Sequence, residues 1–454
     1  MRLCKPHSKQ DRSGLKAITR RLRLGRSLEP SGDGRTRQIV NEYKTRLIDV
    51  VDKSGDFSAF FVHTSKEHKM KKILITLGLI FVLTGCKTVE QLPVQKTEPE
   101  PPKRVEIVAF GDFMLHRPQL RAAQSGEGYD FKPIFRYLTP YIQEADIAMI
   151  NLETTLTDGS KGYTTYPVFS SPKEVARDFK EVGFHIISTA NNHSYDKLGP
   201  GVESTYNYLK EAGLNVIGTQ VEDTPPLIKE VNGMKLGFIC YTYGLNGFDE
   251  VLKNSDKPFA VNIFSEEKAE NDIRYLKENG VDAIICFIHW GEEYRKEPTD
   301  QQKAQARFLA DHGVSLILGS HPHVPQGVDN LLTDEGKTFV AYSMGNFVSN
   351  QRREYMNRRD VETGQMVRAS IVKDEKGTRV ESFEPLATYV DKYSAGGLHF
   401  EVIPVREALT GEIPVERMES VRGRLEAAEE EHGKRVDPNL VIQMKKEGNE
   451  HEEK

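Results

Sequence analysis

Apolar and polar positions follow two rhythms along this chain. From Arg104 onward, short apolar runs recur: VEIVAF (105–110), ADIAMI (145–150), FHIISTA (184–190), VDAIICFI (281–288), VSLILGS (314–320) and TFVAYS (338–343). Runs of this length, rich in β-branched residues, read as strands buried on both faces. Between them apolar residues return every three to four positions in PKEVARDFKEVGF (172–184), GVESTYNYLKEAG (201–213), SEEKAENDIRYLKENG (265–280) and DQQKAQARFLADHG (300–313). These stretches predict amphipathic helices, each stopped by a glycine. Strand–helix alternation implies an α/β domain, over 104–405, with a substantial parallel sheet. After Val405 the pattern decays, and the charged stretch 406–454 predicts a solvated helix followed by disorder.

A different pattern opens the chain. Met70-Lys71-Lys72 precedes the unbroken apolar run Ile73–Leu83, which ends in Leu83-Thr84-Gly85-Cys86. Eleven apolar residues reach about half of a bilayer core, too short for a spanning helix. A basic start, a short apolar stretch and small residues make a secretory signal over 70–85. Its ending resembles a bacterial lipobox, which implies lipidation of Cys86 and cleavage before it. Two acyl chains hold a protein at a membrane surface, so the chain is expected to be exported and anchored at Cys86, facing away from the cytoplasm. Residues 86–103 (the stretch KTVEQLPVQKTEPEPPK and its cysteine) read as a semi-rigid linker. Residues 1–69, with RRLRLGR at 20–26, read either as an upstream segment foreign to the native product, which would begin at Met70, or as a disordered basic arm.

Charge sharpens this division. Residues 1–85 carry 18 Lys and Arg against 8 Asp and Glu, so within the formal net charge of -5 the remainder holds -15. An acidic domain repels polyanions unless a basic groove or a cation intervenes, and nucleic acid is not an expected partner. Cys240 and Cys286 sit inside apolar runs and read as small buried hydrophobes. No CxxC spacing and no Walker-type phosphate loop occur in the sequence.

The chemistry gathers where strands end. The six runs lead into Gly111-Asp112 with His116 beyond; Asn151-Leu152-Glu153; Asn191-Asn192-His193 with Asp196; His289-Trp290-Gly291-Glu292-Glu293; His321-Pro322-His323; and Gly345-Asn346. In open α/β sheets the carboxyl ends of strands form the edge where ligands bind. Singly, each residue has an ordinary reading as a turn former, helix cap or satisfied core histidine. Jointly, six exits bring carboxylate, amide and imidazole groups to one rim. That donor set suits Zn, Mn or Fe, and the lack of rim thiolates argues against a structural zinc cage. One or two such cations point to metal-assisted hydrolysis or transfer at a tetrahedral centre. Trp290, the single Trp, reads as packing beneath the site, and Gly199 and Gly201 as shaping the entry to a helix.

GDFMLH, NLETTL, STANNHSYDKLGPG, HWGEEY, GSHPHVPQG and YSMGNFV together resemble the CapA, or poly-γ-glutamate capsule synthesis, family of the calcineurin-like metallophosphoesterase superfamily. The resemblance implies a four-layer α/β/β/α sandwich of the metallo-dependent phosphatase type. It implies metal ligation by Asp112, Glu153, Asn192, His289, His321 and His323, with Asp112 and His193 as catalytic groups and His193 as the acid. His116, Asn191, Asp196, Glu293 and Asn346 are the supporting or substrate-contacting candidates: His116 to complete the first metal site, Glu293 to hydrogen-bond a ligand imidazole, Asn346 for a substrate contact or a turn. Superfamily members open with Asp-x-His, whereas this chain has Asp112-Phe113-Met114, and a thioether is a poor ligand for a hard dication. The expected function is capsule-polymer synthesis or export, with the polymer and membrane-bound synthase subunits as partners. Action on another envelope phosphoester, or a non-catalytic polymer-binding or synthase-assembly role, remain alternatives.

Overall fold

The computed structural model describes residues 101–436. The basic arm, the signal, Cys86, most of the linker and the tail beyond 436 lie outside the described residues. The first half of the fold alternates strand and helix as the apolar rhythm requires. Strand β1 (Lys103–Phe113) and β2 (Ile147–Leu152) are followed by helix α1 (Glu174–Val182), β3 (Ile186–Ser188), helix α2 (Leu198–Glu211) and β4 (Asn215–Ile217). These four strands run parallel, in the order β1-β2-β3-β4.

A second sheet repeats the device. Strands β5 (Leu227–Val231) and β6 (Met234–Thr242) lead to helix α3 (Glu266–Glu278), β7 (Ala283–His289), helix α4 (Asp300–Asp311), β8 (Leu316–Ser320), β9 (Val328–Thr333) and β10 (Gly336–Ala341). Their order is β9-β10-β8-β7-β6-β5, parallel across β6, β7, β8 and β10. Helix starts obey local chemistry: Ser265 accepts the Lys268 N–H, and Thr299 and Gln302 form a reciprocal capping box. Gly213 and Gly313 follow α2 and α4 with φ of 79° and 90°, the left-handed conformation that glycine adopts cheaply.

The chain then returns to the first sheet. Short β11 (Asn346–Val348) pairs with β1, and β12 (Thr363–Asp374), β13 (Gly377–Ser394) and β14 (Leu398–Pro404) extend that sheet antiparallel from β1. The sequence rhythm does not announce this extension, because its strands bury polar residues such as Gln365, Ser370 and Thr388 among the apolar ones.

Side-chain alternation explains the layering. On β1, Val105, Ile107 and Ala109 point to one face, into a cluster shared with Phe238, Ile285, Phe287 and Leu318 of the second sheet. Val108 and Phe110 point to the other face and pack beneath α1 and α2 with Phe179 and Leu209. On the second sheet Ile239, Ile284 and Ile317 meet Ile273, Leu276 and Leu309 of α3 and α4. The architecture is a four-layer α/β/β/α sandwich, as the resemblance implies. Cys240 and Cys286 are buried and unpaired.

The C-terminal region corrects one expectation. Helix α5 (Val405–Thr410) and helix α6 (Met418–Gly433) are not solvated: Val421, Leu425 and Ala428 are buried against Tyr389 and Ile403. His432, one turn further on the same face, meets the Gln365 side chain of β12 at 2.9 Å. The charged residues of RGRLEAAEEEHGKR occupy the outer face and mask this apolar stripe.

Candidate metal centre

Three exits pair a polar rim residue with an aromatic anchor next to it: Asp112 with Phe113, His289 with Trp290 and Asn346 with Phe347. Asp112 faces the rim, and the next residue, Phe113, points the other way into an aromatic cluster with Phe131, Phe135, Phe179 and Phe347. Phe347 in turn follows Asn346. Gly111 permits the closeness this requires: a Cβ there would lie 1.9 Å from the Gly345 carbonyl oxygen, which accepts the Asp112 N–H at 2.9 Å.

Oxygen donors come from the first sheet. Asp112 is fully buried; it accepts from the Asn151 amide at 2.7 Å and from the His321 backbone N–H at 3.2 Å. Glu153 is also fully buried, and neither carboxylate oxygen has a hydrogen-bond partner. Burial, and then the neighbouring Asp112, push its carboxyl well above the usual range. An orphaned carboxylate of this kind is costly unless a cation compensates it.

Nitrogen donors come from the second sheet. His289 ends β7, and its Nδ1 meets Ser320 Oγ at 2.8 Å. Its Nε2 faces Asn192 Oδ1 at 3.0 Å, His321 Nδ1 at 3.2 Å and Glu153 Oε1 at 3.6 Å. Burial, and then the adjacent imidazoles, hold His289 and His321 well below the ordinary histidine value. A neutral imidazole carries one N–H, so several lone pairs converge here with too few protons to separate them. The structure thus passes the test for a cation. Glu153, His289 and His321 form one group of potential ligands within 4.8 Å of one another; Asp112, Glu153 and His323 form another. Glu153 belongs to both. His321 and His323 stand at φ of 100° and 59°, strained conformations that persist at functional sites.

Around the two groups the remaining candidates take distinct places. Asn192 reaches the cluster through its amide oxygen. His193 stands beside it, its Nδ1 held by Asp196 Oδ2 at 2.8 Å and its ring edge-on to Phe169. Asn191 points away, donating to the Leu152 carbonyl and accepting the His193 N–H, which clamps this loop onto β2. Asn346 is buried, and its side-chain oxygen lies 3.1 Å from His323 Nδ1, where it can orient that imidazole. Trp290 packs under the rim, donating to the Tyr342 carbonyl at 2.8 Å.

Two placements differ from expectation. His116 lies outside both ligand groups: its Nδ1 accepts the Asn350 N–H at 3.3 Å and its ring rests on Phe169. Burial, and then His323 and His193, lower its pKa to about 4. It does not complete the first ligand group. Glu293 is exposed, because the positive φ of Gly291 and Tyr294 turns this loop outward, and no imidazole bonds to it. The sequence assigns no role to Asn151 or Ser320 and misses the exit of β6, where Tyr243 lies 4.6 Å from the His321 ring and Asn246 accepts from Asn192. The run MKLGFICYT (234–242) signals this seventh exit.

Comparison with known families places the chain. The family model described as bacterial capsule synthesis protein PGA_cap matches residues 106–351, more than half of the chain and every rim residue named above. The chain belongs to this family. Among PGA_cap relatives, the capsule biosynthesis protein CapA of Bacillus anthracis is 28% identical over 304 residues, 64% of this chain and 71% of its own length. The PGA biosynthesis protein CapA of Bacillus subtilis (strain 168) is 26% identical over 302 residues, 63% of this chain and 74% of its own. Among solved structures, the calcineurin-like phosphoesterase YfkN of Bacillus subtilis matches with 12% identity and a TM-score of 0.37, over 72% of this chain and 100% of that one. The NAD nucleotidase NadN of Haemophilus influenzae matches with 13% identity and a TM-score of 0.40, over 76% and 68%. A second family model, the prokaryotic membrane lipoprotein lipid attachment site, matches residues 70–86. Among the described residues no helix is long and apolar enough to cross a membrane.

Proposed function

We propose that this PGA_cap protein is exported, held at a membrane by a lipid on Cys86, and acts in making or exporting a capsule polymer of the poly-γ-glutamate type through a metal-dependent hydrolytic or transfer step. The observation that carries the reading is the pair of unpartnered Glu153 oxygens buried among imidazole lone pairs. Asp112, Glu153, Asn192, His289, His321 and His323 would hold one or two cations of Mn, Zn or Fe. A cation so held supplies positive charge that polarises a substrate oxygen or lowers the pKa of a water.

The chain's own groups do the rest. Asp196 fixes the His193 ring through Nδ1, leaving Nε2 to hold or deliver a proton at the leaving atom. Asn151 holds Asp112 Oδ1, and Ser320 and Asn346 orient His289 and His323. The sandwich keeps these groups out of bulk water, which strengthens every charge interaction among them.

The test joins metal analysis of the purified full chain with a screen of phosphodiester and γ-glutamyl substrates. Stoichiometric transition metal is expected, with His193→Ala keeping the metal while turnover falls by about 10²–10⁴, the contribution of a positioned general acid. A wild-type chain that binds no such metal, or a His193→Ala chain with full turnover, would sink the catalytic reading.

A further inference from the structure

Beside the metal centre the chain leaves β11 at Val348, swings outward over residues 350–362 and re-enters the first sheet at Thr363. Asn346, the residue against His323, also donates to the Val361 carbonyl at 3.2 Å and to the Gln351 side chain at 2.9 Å, so both ends of this arm are tied to the site. Between the arm and α6 lies a cavity of about 510 Å³, the size of an ordinary ligand pocket. Lys296, Arg353, Arg358, Arg359, Arg424 and Tyr389 line it.

The carboxylates in its wall are already neutralised. Arg358 grips both oxygens of Asp360 at 2.7 Å. Arg352 meets Glu362 at 3.0 Å, Lys434 meets Glu430 at 2.8 Å, and Arg435 meets Glu431 at 3.3 Å. Those last three cations stand outside the lining, so the wall keeps surplus positive charge. Arg353 and Arg359 are exposed and make no ion pair among the described residues. In a domain of acidic balance, such a pocket focuses a field of the opposite sign. It also adjoins the chemistry: the Arg358 guanidinium stands 5.5 Å from the Tyr294 ring, and that ring lies 5.9 Å from His323.

We propose that this cavity is an anion subsite, in which Arg353 and Arg359 hold carboxylates of an acidic polymer whose reacting linkage lies at the metal centre. The inference rests on the capsule-polymer reading above and adds where the strand runs. Guanidinium forks match carboxylates in two-point geometry, and the Tyr294 ring, in reach of both Arg358 and His323, links the cavity to the metal centre.

Calorimetric titration of the full chain with a short γ-linked oligoglutamate tests it, with oligoglutamine of equal length as the neutral control. The wild type is expected to bind the charged oligomer alone. Arg353→Gln with Arg359→Gln should weaken that affinity about tenfold and flatten its salt dependence, while bound metal and thermal stability stay at the wild-type level. Equal binding of the neutral oligomer, or unchanged affinity in the double variant, overturns the subsite. Binding through Arg353 and Arg359 in a chain without metal or turnover would sink the catalytic reading and leave the subsite standing. Metal and turnover without charge-selective binding would do the reverse.

Discussion

The first sheet delivers oxygen and the second delivers nitrogen. Asp112 lies at the end of β1 and Glu153 and Asn192 follow β2 and β3, whereas His289 ends β7 and His321 and His323 follow β8. Neither set suffices: each group of potential ligands takes members from both sheets. The difference teaches that the site is a property of the sandwich interface, assembled only when the inner faces meet through Ile107, Met149, Phe238, Phe287 and Leu318. Folding and metal affinity are therefore coupled through one apolar layer.

Breaking that layer should have the largest effect. Phe287 is fully buried two residues before His289 on β7, so both side chains face the first sheet. Phe287→Ala is expected to cost about 3–5 kcal/mol of stability and to weaken metal binding with no ligand touched. Denaturant unfolding with and without metal measures both; a destabilised variant with wild-type metal affinity would uncouple the sheets from the site.

Glu153, shared by both groups, comes next. Glu153→Gln should lower metal affinity on the order of a thousandfold, beyond the ten- to hundredfold typical of losing only a ligand's partner. Without metal the sign reverses. A carboxyl raised by burial lets the folded state keep a proton that the unfolded chain has lost, so its contribution holds below the ordinary carboxyl value of 4.5 and fades as pH rises through the folded pKa. In chelator at neutral pH the Gln variant should be more stable than wild type by about 1–3 kcal/mol. Equal melting temperatures there would argue that Glu153 is not strained by its burial.

Acid sharpens the contrast between the site and the C-terminal clamp on the first sheet. His432 of α6 is buried, and burial, then Arg406 and Arg435, lower its pKa from 6.5 to about 4. A lowered histidine leaves the folded state with fewer protons than the unfolded one. Its stabilisation is complete above about pH 6.5 and is lost as pH falls toward about 4, roughly 3 kcal/mol at about 1.4 kcal/mol per unit. His432→Gln should flatten that part of the pH–stability curve, read by thermal melts in chelator. A variant as acid-sensitive as wild type would place the whole effect in the rim imidazoles.

Much of this was legible in the chain, for a physical reason. Parallel strands covered on both faces must be apolar throughout, so β1, β2, β7 and β8 stand out, and any polar residue at their ends is conspicuous. Elements with one face in water hide better. Val421, Leu425, Ala428 and His432 return at helical spacing, yet eight charged residues from Glu419 to Lys434 bury the stripe in the reading. Tyr243 escaped notice because its exit bears no carboxylate or imidazole. Glu293 was overread because adjacency to His289 in sequence says nothing of direction once Gly291 turns the loop.

Ser320 is the subtlest member of the site and the finest test of the division between sheets. It ends β8 directly opposite His289 in the parallel pairing of β7 with β8, and its hydroxyl lies 2.8 Å from Nδ1. The hydroxyl can accept as well as donate, so it supports the tautomer a cation requires: with the proton on Nδ1 donated to Ser320, Nε2 presents a lone pair toward Glu153 and Asn192. Ser320→Ala leaves every ligand in place and removes only this choice. Metal affinity should then fall about tenfold, the lower end of what outer partners contribute, and Ser320→Thr, which keeps the hydroxyl, should restore it. Metal titration of the three chains decides the matter. Unchanged affinity in Ser320→Ala would mean that the carboxylates of the first sheet alone, through Glu153 against Nε2, set the state of the second sheet's imidazole.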